Sequence, residues 1–166
     1  MFNQINTVCF SGYRPEKMPF GGDEGHPRIC ALKGTLEQAI LEAIGTGYNS
    51  FISGACRGFD FLAAEAVLKL RRRFRMVTLE AAVPFAGQEA YWSMADRERY
   101  YAILRQADRV THHGENADPK HYLTRDRYMV EQSSLLITYF DGQPGGTAYT
   151  NRYALQRGLA VVNLAE

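Results

Sequence analysis

Four short apolar runs each stop at a glycine or a proline, and each is followed by a segment with helical spacing. The runs are Ile5 to Phe10 before Ser11-Gly12, Ser50 to Ser53 before Gly54, Met76 to Val83 before Pro84, and Leu135 to Phe140 before Asp141-Gly142. Between the first two, Leu32, Leu36, Ile40 and Ala43 recur at a spacing that puts them on one helix face, and Gly45 and Gly47 read as its stop. After the second, Leu62, Ala63, Ala66, Val67 and Leu70 make another such stripe. A strand that alternates with helices returns to its sheet through a crossover, and the result is a mainly parallel sheet covered on both faces. The expected fold is therefore α/β, a Rossmann-like three-layer arrangement.

The second half repeats the pattern. Arg97 to Ala107, Leu123 to Gln132 and Thr147 to Arg157 read as helices, and Arg109 to Thr111 and Leu159 to Leu164 as strands. Tyr13 to Arg28, with its glycines and prolines, is longer than most loops in compact domains and reads as a flap over a site. With 166 residues and no linker or repeat, the chain is read as one domain over 1–166.

An apolar fraction of 46% with 22% charged residues is the composition of a folded globule. Cys9, Cys30 and Cys56 are odd in number and widely spaced, which reads as free thiols in a reducing compartment. The first residues lack the basic and apolar stretches of a signal peptide, and no run approaches the roughly 20 apolar residues of a membrane span. A cytoplasmic protein without a membrane partner is expected. His26, His112, His113 and His121 show no ligand spacing, so neither a metal nor a cofactor is expected. The net charge of +1 gives no general grip on nucleic acid, though it leaves a local patch open, and nucleic acid is not expected as a partner. Tyr100-Tyr101 suggests exposed aromatics and a homo-oligomer.

Ligands of an open parallel sheet bind beyond the carboxyl ends of its strands, so the turns after the strands are the candidate site. In the first turn, Ser11 to Pro15, Gly12 lets backbone approach a ligand, Tyr13 is a candidate for stacking on a base and Arg14 for pairing with a phosphate; the other reading is a strand-terminal turn with an exposed arginine. In the second, Ser53, Gly54, Arg57 and Gly58 lead to a helix start, a setting that favours anions. Asp60 in that first turn has two readings: a carboxylate complementing the helix, or a group that binds ribose or acts in acid/base chemistry. Pro84, Phe85 and Trp92 either line a base pocket or cap the core. Asp141, Gly145, Gly146 and Thr147 form the fourth turn, whose glycine pair exposes N–H groups to a phosphate, with Thr147 as helix cap or donor. Arg125 and Arg127 reach the site from their helix or form surface ion pairs.

Taken in order, these segments resemble the SLOG superfamily, a Rossmann-like group that includes DprA-type proteins and the LOG hydrolases. The resemblance is to its YpsA-like branch. It rests on Ser11-Gly12-Tyr13-Arg14-Pro15, Ser53-Gly54 with Gly58-Phe59-Asp60, and Pro84-Phe85 with Gln88 and Trp92. Asp96-Arg97 with Tyr100, Ala107-Asp108, Arg125-Asp126 with Met129-Val130, and Gly145-Gly146-Thr147 continue it. The resemblance implies a pocket for a nucleotide or nucleotide-derived molecule, formed by Gly54, Gly58, Asp60, Gly145, Gly146 and Thr147 and flanked by Arg14 and Arg125. LOG hydrolases carry PGGxGTxxE, whose glutamate takes part in cleaving an N-glycosidic bond. Here Pro144-Gly145-Gly146-Thr147 runs on to Ala148-Tyr149-Thr150-Asn151, with no glutamate, so that reaction does not transfer.

Three functions follow as expectations. The first is binding or sensing of a nucleotide-derived small molecule. The second is a nucleoside-phosphate or ADP-ribose-type N-glycoside hydrolase with Asp60 as the catalytic carboxylate. The third, set aside on net charge, is single-stranded nucleic-acid binding of the DprA kind.

Overall fold

The computed structural model describes residues 6–165. Its core is a six-stranded sheet, every neighbouring pair parallel, in the order β4-β3-β2-β1-β5-β6. The strands are β1 (Thr7–Ser11), β2 (Ser50–Ser53), β3 (Thr78–Val83), β4 (Arg109–His112), β5 (Leu135–Thr138) and β6 (Ala160–Asn163). Five helices link them: α1 (Pro27–Gly45), α2 (Phe59–Arg71), α3 (Met94–Gln106), α4 (Lys120–Glu131) and α5 (Gly146–Gln156). Of the first apolar run, residue 5 lies outside the described residues.

Side chains alternate across the strands, and two cores result. Val8, Phe10, Phe51, Leu79 and Ile137 face one layer, where Leu36 and Ile40 of α1 and Leu62 and Val67 of α2 are buried. Cys9, Ile52 and Leu136 face the other, against Met129 and Val130 of α4 and Ala154 of α5. The central strands β1 and β5 are buried along their whole length, as a strand covered on both faces must be.

Several boundaries shift for local reasons. α3 starts at Met94 because the Ser93 hydroxyl caps it, accepting from the Asp96 N–H at 3.1 Å. α4 starts at Lys120, whose N–H donates to Asp118 at 3.0 Å. Tyr100 is buried, 3% exposed, so only Tyr101 of that pair is on the surface. The stretch after β1 is ordered as two 3-10 turns, Pro15–Lys17 and Pro19–Gly22, and anchored by the buried Met18. No helix among the described residues is long and apolar enough to cross a membrane.

From β1 the chain builds outward through β2 and β3 to β4, then crosses back to lay β5 on the other side of β1. Connections leaving β1 and β5 therefore diverge, and a crevice opens between them at their carboxyl ends.

Candidate functional site

That crevice holds a cavity of about 450 Å³. Its walls include Ser11, Gly12, Tyr13, Arg14, Glu16 and Lys17 after β1, Cys56, Arg57 and Asp60 at the start of α2, and Gly146 and Thr147 at the start of α5. Tyr122, Arg125, Asp126 and Met129 of α4, with Phe10 of β1, complete it.

The start of α5 supplies unpaired donors. Its first helical bond runs from the Tyr149 N–H to the Gly145 carbonyl at 3.1 Å. The N–H groups of Gly146, Thr147 and Ala148 thus have no helical partner, and the helix dipole adds to their pull on an anion. Thr147 does not cap the helix. Its hydroxyl donates to the Gly12 carbonyl at 3.0 Å and ties the β1 and β5 turns together. The flap is tied to the same turn: Lys17 Nζ donates to the Pro144 carbonyl at 2.7 Å, and Gln143 Nε2 to the Lys17 carbonyl at 3.1 Å.

Arg125 shapes the floor and is 4% exposed. Its Nε donates to Asp126 Oδ1 at 2.7 Å, and its Nη1 to the carbonyls of Gly54 at 2.7 Å and Ala82 at 3.1 Å. Gly54 is required by this packing: a Cβ there would stand 2.7 Å from Arg125 Nη1 and 2.7 Å from Asp60 Oδ2. Gly58 is required by its backbone, at φ +88 with the Tyr13 carbonyl 2.5 Å from where a Cβ would be. Asp60 Oδ2 accepts from the Cys56 N–H at 3.4 Å. Burial pushes the Asp60 carboxyl up to about 6, against the pull of Arg125 and Arg14 and with the help of Asp126. Burial likewise raises the Cys56 thiol, and takes that of Cys9 to about 12, so neither is a ready nucleophile.

The cations at the mouth differ in what they hold. Arg57 pairs with Glu16 at 2.9 Å. Arg14 lies over the Tyr122 ring, 4.9 Å from its centroid, and forms no ion pair among the described residues. Among the described residues, Lys17 Nζ donates only to the neutral Pro144 carbonyl.

The structure thus brings Ser11, Gly12, Tyr13, Arg14, Arg57, Asp60, Arg125, Gly146 and Thr147 to one cavity. Ser53 and Gly54 stand behind it; the Ser53 hydroxyl donates to the Asp60 carbonyl at 3.0 Å. Tyr13 is 3% exposed, with its ring against Tyr139 and Phe140, so it has no face to offer a base. Its hydroxyl instead fastens the β5 turn, donating to Asp141 Oδ1 at 2.8 Å and accepting from the N–H groups of Asp141 at 3.1 Å and Gln143 at 3.2 Å. Asp141 and Gly145 shape that turn without lining the cavity.

Pro84, Phe85 and Trp92 do not line the cavity. Phe85 packs edge-on against Tyr122, and Trp92 against Phe61 and Tyr100. β3 lies two strands from β1, and its turn stands behind the wall: Phe85 backs Tyr122, and Arg57 lies over the Trp92 ring, 5.8 Å from its centroid. Arg127 is exposed and donates to the Tyr149 hydroxyl rather than facing the site. Sequence reasoning missed Glu16, Lys17 and Tyr122. The flap held a signal for the first two, and the aromatic at the start of α4, one turn before Arg125, for the third.

A sequence profile of the YspA SLOG family matches residues 8–159. The chain belongs to this family. It is 29% identical over 156 residues to a UPF0398 protein of Halalkalibacterium halodurans, covering 92% of this chain and 82% of the relative. A UPF0398 protein of Lysinibacillus sphaericus is 27% identical over 147 residues, covering 87% and 82%. Two DprA structures share the fold of this SLOG chain. DprA of Streptococcus pneumoniae superposes with a TM-score of 0.63 at 16% identity, over 97% of this chain but 51% of that one. DprA of Helicobacter pylori, described for its single-stranded DNA binding mode, gives 0.64 at 16% identity, over 95% of this chain and 64% of that one.

These neighbours overturn the expectation that nucleic acid is no partner for such a chain. That expectation rested on a net charge of +1, which is a sum over the whole sequence. Binding depends on where the charges sit, and Arg14, Lys17 and Arg57 are gathered at one cavity mouth.

Proposed function

We propose that this domain binds the phosphate group of a nucleotide or nucleotide-derived molecule in the cavity between β1 and β5. The observation that carries the reading is the meeting of three N–H groups without a helical partner at the start of α5 with Arg14 and Lys17, two cations that pair with no carboxylate among the described residues. A phosphate there accepts from the helix start and pairs with both cations, which is the usual chemistry of such sites. Tyr122 also lines the wall, but Arg14 lies over its ring, so a base reaches that face only as Arg14 turns to the phosphate. The volume of about 450 Å³ suits a mononucleotide-sized ligand.

Calorimetric titration with AMP, ADP and ribose 5-phosphate tests the reading. Binding is expected to weaken on the order of tenfold in Arg14→Ala, the loss of one charge-assisted contact. No binding of any of the three overturns the reading.

A second reading, single-stranded nucleic acid, is favoured by the exposed row of Arg14 and Lys17 on the cavity rim and by the shared fold. It requires oligonucleotide affinity that falls steeply with salt. Hydrolysis by Asp60 is tested on the same samples. Free base that accumulates in the wild-type chain and not in Asp60→Asn assigns it a catalytic role.

A further inference from the structure

The cavity floor carries a carboxyl group that anion binding, taken alone, would not want. Asp60 opens into the same space as Arg14, Lys17 and the start of α5. Its Oδ2 accepts from the Cys56 N–H, and its Oδ1 meets no donor among the described residues. Nor does it form a direct ion pair among the described residues. Arg125 is committed to Asp126 and to the carbonyls of Gly54 and Ala82. Arg125 and Asp126 from α4, Arg14 from the turn after β1, and the thiols of Cys56 and of Cys9 in β1 act on Asp60, and Glu16 and Lys17 of the flap, Arg57 before α2 and Tyr122 of α4 line the same cavity. Of the groups that act on it, only Arg125 and Arg14 favour the charged carboxylate, and Asp126 opposes it.

On the reading that the cavity takes a phosphate-type anion, we propose that the anion enters together with one proton, carried by Asp60, so that the site is a proton-linked anion receptor. Ionised, Asp60 repels the incoming dianion and has nothing to donate. Protonated, it removes that repulsion and presents an O–H to an anion oxygen through the Oδ atom that now lacks a partner. The proton comes from solvent, and no bond other than this O–H is made or broken. The empty cavity already holds the Asp60 carboxyl near 6. A second negative charge in the same low-dielectric space moves it further up. The sign follows: affinity is highest below the free-site value, falls as pH rises through it and the bound-site value, and levels off above both. A one-unit rise on binding makes the change on the order of tenfold.

Sulfate is the probe, because it stays a dianion across this range and leaves the titration to the protein. Its affinity is measured by calorimetry at about pH 5.5 and about pH 8, at fixed ionic strength, in buffers of different ionisation enthalpy. Expected for the wild-type chain are a gain on the order of tenfold at the lower pH and net proton uptake near neutral pH. Expected for Asp60→Asn is an affinity that does not change with pH. A wild-type affinity independent of pH, or no proton uptake, overturns the proposal and leaves the phosphate reading standing. So does an equal pH dependence in Asp60→Asn, which moves the proton to another group. No sulfate binding at either pH, with no nucleotide binding, overturns both. The proton count on the wild-type chain decides the matter even if the variant fails to fold.

Discussion

Asp60→Asn should stabilise the protein at pH 8 and do nothing for it at about pH 2.5. Asp60 stands at about 6 in the folded chain against an ordinary value of 3.8. Folding therefore favours its protonated form. At about pH 2.5, well below 3.8, the group is neutral in both states and carries no penalty. Between about 4 and 6 the unfolded chain gives up the proton first, and stability falls with rising pH. Above the folded value the penalty is constant. A shift of roughly two units corresponds to about 3 kcal/mol. Solvent that reaches the carboxyl through the cavity reduces this, and about 1–3 kcal/mol is the expected gain from asparagine. Asparagine keeps the acceptor for the Cys56 N–H, so the hydrogen bond is not lost with the charge. Urea denaturation at the two pH values measures the effect as a change in midpoint at constant slope. A variant destabilised equally at both would refute the reasoning, and would mean that Arg125 holds Asp60 ionised.

Arg125→Met should cost about 3–5 kcal/mol, because it strands Asp126 and leaves the Gly54 and Ala82 carbonyls without a donor; urea denaturation near neutral pH measures it. Gly58→Ala should lower stability by at least about 1–3 kcal/mol, from φ +88 together with backbone 2.5 Å from the new Cβ, and thermal denaturation would show it. Tyr13→Phe should cost about 1–3 kcal/mol in urea denaturation. It should also speed amide exchange at Asp141 and Gln143, whose N–H groups donate to the lost hydroxyl, while β1 stays protected.

Much of the fold was legible because helix and strand are set locally. The 3.6-residue stripe of Leu32, Leu36, Ile40 and Ala43 is the buried face of α1, and the apolar run from Leu135 is β5. Gly54 and Gly58 were legible as glycines before a helix start, read as a turn that favours anions, and a Cβ at either would meet close neighbours. Their tasks were not. Both sit behind the cavity, one making room for Arg125 and Asp60, the other for the Tyr13 carbonyl.

The sequence by itself determined which segments become strands, which become helices, and that the ends of the strands carry the polar chemistry. Only the tertiary structure decided which of those ends meet. The order β4-β3-β2-β1-β5-β6 makes the turns after β1 and β5 neighbours, so that Arg14 and Thr147 line one cavity, and leaves the turn after β3 behind its wall, where Phe85 backs Tyr122 and Trp92 meets Arg57. It also brings the start of α4 across the sheet, so that Arg125 and Tyr122 face a cavity built more than a hundred residues earlier by Gly12 and Arg14. The physical reason is the range of the interactions. Side-chain period and turn chemistry act over a few residues and leave their mark in the sequence, whereas sheet order is set by the burial of whole faces through crossovers.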